Sequence, residues 1–349
     1  MNDTLYMKRC LELARLGEYY VAPNPMVGAV LVAPDGHIVS EGWHERFGGP
    51  HAEVKCLGSL EDGASAYSLE DASKACYRLE ECTLYVNLEP CSHYGKTPPC
   101  AKMLIEKGIG HVVVGMQDPN PMVAGKGIQM LRESGIDVKV GVLEDECRYL
   151  NRRFLCLQEQ HRPYVILKWA QTEDGFLDKL RIKNEELRIK SEGPLVISSQ
   201  ATKQLVHKMR AENMAIMVGT QTAIADNPKL LTTRWPGRNP IRIVPDRRHR
   251  IPKESNIFSD DAPTIVYEKQ TDWDFIVQDL GQRGIHSVLV EGGKTLLDHI
   301  LQSGIYDEIH VEVAPVTIGK GVPAPAIPLP TQPKMVIDGH LLYEIYHRL

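Results

Sequence analysis

The chain has 349 residues, of which 43% are hydrophobic and 24% are charged, and its formal net charge at pH 7 is −5. This length exceeds what one ordinary hydrophobic core supports, so about two domains are expected in a globular protein. The thinly spread negative charge argues against a general nucleic-acid binder, which usually carries a basic face.

No signal segment opens the chain, and no apolar run approaches the ~20 residues of a membrane span. We therefore expect a cytoplasmic protein without membrane contact. The chain has eight cysteines, which should be reduced thiols in that compartment. Most of them lie in apolar or mixed segments that are typical of small core or surface residues, namely Cys10, Cys56, Cys76, Cys82, Cys147 and Cys156.

Residues 1–147 alternate between helical and extended patterns. The predicted elements are a helix at 4–16, a hairpin of 26–34 and 37–43, a helix from about 51, a strand at 83–89, a helix at 99–107, a strand at 111–116, a helix at 126–134 and a strand at 137–142. Strands separated by helices indicate a largely parallel sheet covered on both faces, which is an α/β domain. A polar helical segment, 148–161, is expected to link this domain to the next.

Residues 162–349 predict a second alternating domain. Its expected strands lie at 162–170, 215–219, 241–245, 264–267, 287–290, 308–314 and 341–348, and its helices at 200–212, 272–283 and 294–303. The polar stretch 171–194 is expected to be a long loop, and the proline-rich stretch 319–333 excludes regular structure. The absence of G-x-G-x-x-G argues against a Rossmann dinucleotide domain.

Two short stretches of the first domain carry side chains that bind metals. PHAE at 50–53 supplies His51 at the start of a helix, and PCSHYGKTPPC at 90–100 supplies Cys91 after a strand and Cys100 in the first turn of a helix. Open α/β sheets bind ligands where such element ends meet, along the carboxyl edge of the strands. One imidazole and two thiolates fit a catalytic zinc site, which has three protein ligands and one open position.

The order of these residues is that of zinc nucleobase deaminases, in which H-x-E precedes P-C. Zinc lowers the pKa of its water toward ~7, and Glu53 is expected to carry a proton from that water to the departing amino group. The spacing differs from the tighter P-C-x-x-C pattern, because eight residues separate Cys91 from Cys100. One alternative is a structural site with His93 as the fourth ligand, although His93 lies only two residues from Cys91. An accidental cluster is the other alternative.

NPMVGAV (24–30), GWH (42–44), GGPHAE (48–53) and EPCSHYGKTPPC (89–100) together resemble the deaminase half of the bifunctional riboflavin-biosynthesis family, RibD/RibG. The resemblance implies a cytidine-deaminase-like, three-layer αβα fold. It also implies that the substrate contacts include Asn24, His44 and Lys96. Without the resemblance, these residues would be interpreted as a turn residue, a surface histidine and a solvated lysine.

The second domain contains RPYVILKWAQTEDGFL, VHKMRAE, VGTQTAIADNPKL, VEGGKTLL and APVTIGKG, which resemble the reductase half of the same family. The resemblance implies a dihydrofolate-reductase-like α/β fold that uses NADPH. The implied substrate-binding residues are Arg210, Leu230 and Glu291. The implied cofactor-binding residues are Thr222, Asp226, Gly292, Gly293, Lys294 and Thr295, and the implied proton handler is also Asp226.

The residues alone support less of the reductase assignment. Gly292-Gly293 is a weak phosphate-loop signal, Asp226 is also a turn former, and Arg210 is also a solvated helix residue. The chain departs from the family at TEDG (172–175), where serine-leucine-aspartate-glycine is common, and at Asp226-Asn227, where two aspartates are common. Three arginines that follow the strand at 241–245 either meet the 2′-phosphate of NADPH or form a solvated basic turn, namely Arg247, Arg248 and Arg250.

The predicted function is a pair of consecutive reactions in riboflavin synthesis. The first is zinc-dependent hydrolytic deamination of 2,5-diamino-6-ribosylamino-4(3H)-pyrimidinone 5′-phosphate, and the second is NADPH-dependent reduction of the ribosyl group to ribityl. We expect a homo-oligomer that binds phosphorylated pyrimidines and no nucleic acid. One alternative is a deaminase whose second domain only binds substrate or oligomerises. The other is a nucleic-acid-binding protein with a structural zinc.

Overall fold

A computed structural model describes residues 2–61, 78–94, 98–120, 124–179 and 195–347. The chain falls into two units, each with its own sheet, that divide between Gln160 and His161. Within the described ranges, no helix is long and apolar enough to cross a membrane.

The first unit is built on one five-stranded sheet. Its helices are α1 (Asp3–Arg15), α2 (Ala52–Glu61), α3 (Cys100–Lys107), α4 (Lys126–Glu133), α5 (Glu144–Leu150) and α6 (Arg152–Gln160). Its strands are β1 (Gly28–Val32), β2 (Ile38–Trp43), β3 (Thr83–Leu88), β4 (His111–Met116) and β5 (Asp137–Val140), in the order β2-β1-β3-β4-β5.

The prediction of a largely parallel sheet in this unit is wrong for half of the strand pairs. β1 pairs antiparallel with both β2 and β3, whereas β3, β4 and β5 are parallel. The β1–β2 pairing follows from the short turn at Asp35-Gly36, where Gly36 adopts a positive φ of 93°. Whether β3 runs parallel or antiparallel to β1 depends on which strands become neighbours in the folded sheet. The local sequence pattern does not specify those neighbours.

The sheet is the middle of three layers. Along β3, alternate side chains face opposite sides, so that Tyr85 packs with α1 and α5 while Leu84 and Val86 pack with α2, α3 and α4. Both faces are apolar, as expected for strands covered on two sides. The buried thiols of Cys10, Cys56 and Cys147 belong to these clusters, so these three are core rather than surface residues, while Cys76 lies outside the described residues.

The segment 148–161, which was expected to link the domains, is largely part of the first unit. Leu150 and Leu155 lie in the core beneath α1, because α5 and α6 turn their apolar sides toward the sheet. Between the two helices, Asn151 accepts a hydrogen bond from the Met26 N–H (2.8 Å) and donates one to the Met26 carbonyl (3.0 Å). These contacts hold the segment in place, although its sequence is polar.

The second unit is built on an eight-stranded sheet and a two-stranded ribbon. Its strands are β6 (Tyr164–Thr172), β7 (Phe176–Asp178), β8 (Ala215–Met217), β9 (Ile241–Pro245), β10 (Thr264–Tyr267), β11 (Ser287–Val290), β12 (Glu308–Ala314), β13 (Val322–Pro323), β14 (Met335–Ile337) and β15 (His340–Tyr346). Its helices are α7 (Gln200–Glu212), α8 (Thr220–Asp226), α9 (Trp273–Gln282) and α10 (Lys294–Ser303).

The large sheet has the order β10-β9-β8-β11-β6-β12-β15-β14. Its pairings are parallel from β10 to β12 and antiparallel from β12 to β14. Apolar residues of α9 and α10, such as Ile276 and Leu297, cover one face over Val165 and Leu167. The carboxyl ends of β8, β9 and β11 therefore meet at one edge.

Two predictions about loops in this unit need correction. Val322–Pro323, inside the stretch 319–333, pairs antiparallel with β7, because a proline without an N–H is tolerated in such a short edge strand. The expected loop 171–194 begins with the end of β6, a turn and β7, and residues 180–194 lie outside the described residues.

Candidate active sites

His51, Cys91 and Cys100 converge beyond the end of β3. The Nδ1 atom of His51 lies 3.6 Å from the Sγ of Cys91 and 3.4 Å from the Sγ of Cys100. His51 directly precedes α2, Cys91 follows β3, and Cys100 is the first residue of α3. Three element ends thus position the three donor atoms, as the sequence predicts.

These donors fit a zinc ion. All three candidate ligand atoms lie within 4.8 Å of one another, and one nitrogen with two sulfurs is a donor set that zinc prefers. The pKa of Cys91 is lowered by hydrogen bonding to Cys100 and by the neighbouring His51, which favours the thiolate that a metal requires. In the described part of the chain, no fourth histidine, cysteine or carboxylate joins the group, and His93 is not part of it.

Glu53 lies in the first turn of α2 beside this group and is only 3% exposed. Burial raises the pKa of Glu53 to about 7, and the negative charge of Cys91 adds to the effect. A carboxyl group with a pKa near neutrality can both accept and release a proton at physiological pH. Its position and its pKa therefore suit a proton carrier.

The structure brings His44 and Asn24 next to the metal ligands. Nδ1 of His44 lies 2.9 Å from the Pro50 carbonyl, so this nitrogen carries the proton, and Nε2 then accepts from the Asn24 side-chain amide at 3.0 Å. The His44 ring lies edge-on to His51, with 5.7 Å between centroids, and burial lowers the pKa of His44. His44 is therefore a neutral, oriented side chain. The predicted substrate contact Lys96 lies outside the described residues.

Glu89 supports the metal-binding loop. It is the first residue of the stretch EPCSHYGKTPPC, but the sequence pattern indicates no role for it. Its buried carboxylate accepts four backbone N–H groups, from Asp118 (3.1 Å), Gly125 (3.0 Å), Gly127 (2.9 Å) and Ile128 (3.2 Å). These bonds tie the residue before Pro90-Cys91 to the start of α4. Its partners lie 29 to 39 positions away, so no local pattern reveals them.

The sequence pattern likewise indicates no role for Asn87. Its Oδ1 accepts from the Gly28 N–H (2.8 Å), and its Nδ2 donates to the Met26 carbonyl (3.0 Å). Together with Asn151, it fixes the backbone just after Asn24. The position of Asn24, a predicted substrate contact, thus depends on the buried amides of Asn87 and Asn151, which lie outside the NPMVGAV stretch.

A cleft of about 1070 Å³ opens at the carboxyl ends of β8, β9 and β11 in the second unit. Every site residue that the resemblance implied for this unit lines it, namely Arg210, Thr222, Asp226, Leu230, Glu291, Gly292, Gly293, Lys294 and Thr295. They come from α7, α8, the stretch after α8, the β11–α10 turn and the start of α10, so the fold gathers them from five segments.

Arg210 and Glu291 pair with each other across this cleft. Nε and Nη2 of Arg210 donate to the two carboxylate oxygens of Glu291, at 3.0 and 2.7 Å, and Nη1 donates to the Leu231 carbonyl at 3.1 Å. Burial opposes ionisation of Glu291, but the charge and hydrogen bonds of Arg210 outweigh it and lower the pKa of Glu291. Both side chains are thus held in fixed orientations.

The Gly292-Gly293 turn has little room for side chains. A Cβ atom at Gly292 would lie 2.9 Å from Leu296, and one at Gly293 would lie 3.3 Å from the Thr222 hydroxyl oxygen. Gly293 caps α10, whose first residue, Lys294, forms an ion pair with Asp298 at 2.8 Å. Backbone N–H groups at a helix start suit a phosphate, so this edge of the cleft fits a phosphorylated dinucleotide.

The departures from the family pattern lie at Thr172, Glu173 and Asn227, since Asp174 and Gly175 match the family. The Thr172 hydroxyl donates to the Asp174 carboxylate (2.6 Å) and accepts from the Phe176 N–H (2.9 Å), and Glu173 is exposed. Asn227 ends α8 in the left-handed conformation (φ 42°), which asparagine tolerates better than most residues. Neither departure removes a side chain from the set assigned to the cleft.

Comparisons with known proteins identify a family for each unit. Residues 163–340 match the family model described as the RibD C-terminal domain, and residues 1–116 match the cytidine and deoxycytidylate deaminase zinc-binding region. The riboflavin biosynthesis protein RibD of Aquifex aeolicus is 37% identical, with 92% of this chain and 89% of that protein covered. RibD of Escherichia coli is 36% identical, with 91% and 89% covered.

A solved structure of similar fold comes from Thermotoga maritima. It is a diaminohydroxyphosphoribosylaminopyrimidine deaminase/5-amino-6-(5-phosphoribosylamino)uracil reductase, with a TM-score of 0.83, 33% identity, and coverage of 99% of this chain and 98% of that one. The likeness extends over both units. This chain therefore belongs to the RibD family of bifunctional riboflavin biosynthesis proteins.

Proposed function

We propose that this chain catalyses two consecutive steps of riboflavin biosynthesis, one in each unit. The first unit removes an amino group from 2,5-diamino-6-ribosylamino-4(3H)-pyrimidinone 5′-phosphate by hydrolysis. The second unit reduces the ribosyl group of the product to ribityl with NADPH. The observation that carries the proposal is the group of His51, Cys91 and Cys100 with the buried Glu53 beside it.

In the deamination, His51, Cys91 and Cys100 would hold zinc, which supplies Lewis-acid activation of the attacking water when bound. Glu53 accepts a proton from that water and delivers it to the departing amino group, so that ammonia leaves. In the protein without bound metal, burial raises the pKa of Glu53 to about 7, and the position of Glu53 beside the ligand group suits this double role.

Asn24 and His44 hold the pyrimidinone ring beside the zinc ligands in this proposal. His44 is neutral and its Nε2 is occupied by Asn24, so the pair presents a fixed pattern of donors and acceptors. A fixed amide can recognise the amide-like edge of a pyrimidinone. Lys96 is proposed to contact the phosphate of the substrate, as a cation suits that group.

In the reduction, NADPH supplies a hydride when bound along the Gly292-Gly293 turn. We assign cofactor contacts also to Thr222, Lys294 and Thr295, and proton transfer to Asp226. The paired Arg210 and Glu291, with Leu230, position the ribosyl group. This assignment is supported by their common location in the cleft.

The chemistry of the two sites also bears on the compartment in which the protein works. Thiolate ligands and NADPH suit a reducing compartment, and we propose the cytoplasm. The small-molecule substrates are phosphorylated pyrimidines. We also propose that the protein forms a homo-oligomer, which light scattering on the purified protein tests.

The test compares the unaltered protein with Glu53→Gln. The unaltered protein, loaded with zinc, should release ammonia from the diaminopyrimidinone phosphate. Glu53→Gln should keep zinc, measured by elemental analysis, and lose ammonia release by about 10²- to 10⁴-fold, because the amide cannot carry the proton. Glu45→Gln removes a half-exposed carboxylate of the same unit and should change neither property. An active, zinc-loaded Glu53→Gln variant contradicts the proposal.

A further inference from the structure

A buried carboxylate, Glu312, lies beside the wall of the cleft in the second unit, which we call the reductase cleft. Glu312 is 3% exposed and lies on β12, opposite Ala170 of β6 in the strand register. Lys168 shares this face of the sheet, because residues two positions apart on a strand point to the same side. Among the described residues, Lys168 and Ala170 line the reductase cleft and Glu312 does not. Glu312 can therefore act on the cleft only through a neighbour.

Three groups from three different segments contact the Glu312 carboxylate. Ser198, just before α7, donates its hydroxyl to Oε2 at 2.7 Å, and Nζ of Lys168 lies 3.7 Å from the same oxygen. On β15, Nδ1 of His340 lies 2.9 Å from Oε1, outside hydrogen-bond geometry. Lys168 is the partner that carries a full positive charge at neutral pH, so it supplies the main balance for the buried charge of Glu312.

Lys168 lies between the charges of two carboxylates, Glu312 and Glu291. Burial raises the pKa of Glu291, but the charges of Arg210 and then of Lys168 oppose this effect and lower the pKa below its usual value. Lys168 thus acts on Glu291 through its charge, yet within the described ranges Glu291 pairs with Arg210 and Lys168 pairs with Glu312. Without the charge of Glu312, nothing would oppose the attraction of the ammonium group toward Glu291.

Lys168 lies on the side of the reductase cleft that is assigned to the substrate. β6 adjoins β11 on the side away from β8, whereas the cofactor contacts come from α8, which follows β8, and from the stretch after β11. We propose that Glu312 is a positioning residue for the reduction, which holds the Lys168 ammonium group back from Glu291 and so keeps the binding place of the ribosyl group open. This inference rests on the reductase function proposed above.

The experiment measures steady-state reduction of the already deaminated substrate by the full-length protein, and equilibrium binding of NADPH by its fluorescence. Glu312→Gln removes the negative charge but keeps an oxygen that accepts from Ser198, and Glu312→Asp keeps the charge. Glu308→Gln is the matched control, because Glu308 is equally buried on the same face of β12, accepts from the Tyr164 hydroxyl (3.0 Å) and is not among the described residues that line the cleft. Thermal melts measure the loss of stability that the two buried positions share.

Glu312→Gln should raise the KM for the substrate about 10-fold, while kcat and NADPH affinity change by less than about 2-fold, because the displaced ammonium group weakens substrate binding and not hydride transfer. Glu312→Asp should recover most of this loss, and Glu308→Gln should leave KM unchanged. In a Lys168→Met background, Glu312→Gln should not weaken substrate binding further, as measured by calorimetry, because its effect passes through Lys168.

An unchanged KM for Glu312→Gln, an equal rise for Glu308→Gln, or weaker NADPH binding overturns the inference and leaves the reductase function standing. Additive losses in the Lys168→Met background overturn it as well, because Glu312 would then act through another group. If Glu312→Gln does not fold, Ser198→Ala decides: it frees the carboxylate from its hydroxyl partner and should raise KM by about 2- to 5-fold, and an unchanged KM overturns the inference. Failure of the unaltered protein to reduce the deaminated substrate contradicts the reductase function itself.

Discussion

Glu53 and Glu291 are both largely shielded from water, but their neighbours move their pKa values in opposite directions. Burial and the charge of Cys91 raise the pKa of Glu53 to about 7, whereas Arg210 overcomes burial and lowers the pKa of Glu291. A raised pKa suits proton transfer, and a lowered one suits a permanently charged anchor. The two carboxylates therefore have different tasks, although their residue type is the same.

The Arg210–Glu291 pair predicts a loss of stability in acid. The pKa of Glu291 is lower in the folded than in the unfolded chain, so the pair stabilises the fold above the unfolded pKa of about 4.3 and loses its effect as the pH falls through the folded value. Glu291→Gln leaves Arg210 without its charged partner and should lower the free energy of unfolding by about 3–5 kcal/mol at pH 7.

The difference between the unaltered protein and Glu291→Gln should shrink below about pH 4. It can be followed by tryptophan fluorescence during urea unfolding, since Trp169, Trp235 and Trp273 of the four tryptophans lie in the second unit. Glu254→Gln, at an exposed position in the same unit, serves as the control. A difference that stays constant from pH 7 to pH 3.5 would show that the ion pair is not its cause.

At the same scale, the zinc ligands and Glu53 could be predicted, because each lies within a short motif at the end of an element. Glu89 and Asn87 could not be assigned, since their partners are backbone groups that only the folded sheet brings near. The ion pair between Arg210 and Glu291 could not be predicted from the sequence either, because 81 positions separate the two residues.

At the scale of elements, close packing of α2 on β2 explains the glycine of the GWH stretch. A Cβ atom at Gly42 would lie 2.3 Å from the Cys56 backbone nitrogen and 2.6 Å from the Ala52 carbonyl oxygen. Only glycine lets α2 approach β2 so closely, and α2 begins next to His51 and carries Glu53. The glycine in the strand thus sets the position of the active-site helix.

Gly42→Ala should push α2 away from β2. We expect a loss of about 1–3 kcal/mol in the free energy of unfolding, together with weaker zinc binding, because His51 moves with the helix. Gly58→Ala lies in α2 itself, where no described atom is within 4 Å of the added Cβ, and it should be neutral or slightly stabilising. Urea unfolding and competition with a zinc-binding dye measure the two effects. Equal behaviour of the two variants would refute the packing argument.

The elements that were predicted from the sequence are those with enough residues to show a period. Short elements were missed, such as β7 with three residues, β13 with two and β14 with three, because a period of two needs more positions to be recognised. The seven-residue helix α8 was missed for the same reason. All four of these elements lie in the second unit, so the prediction was less complete there.

At the scale of the whole molecule, the two units have separate cores and separate sites. The metal group and Glu53 lie before Gln160, and every residue of the reductase cleft lies after it. The sequence predicted a separate linker at 148–161, whereas Leu150 and Leu155 of this polar segment pack in the core of the first unit.

The most direct test of this account is removal of zinc with a chelator, followed by separate assays of ammonia and of NADPH absorbance on the full-length protein. With the diaminopyrimidinone phosphate, the zinc-free protein should release no ammonia and consume no NADPH, and added zinc should restore both. With the already deaminated substrate, the zinc-free protein should oxidise NADPH at the same rate as the zinc-loaded protein. Ammonia release without zinc, or a lack of NADPH oxidation with the deaminated substrate, would contradict the account.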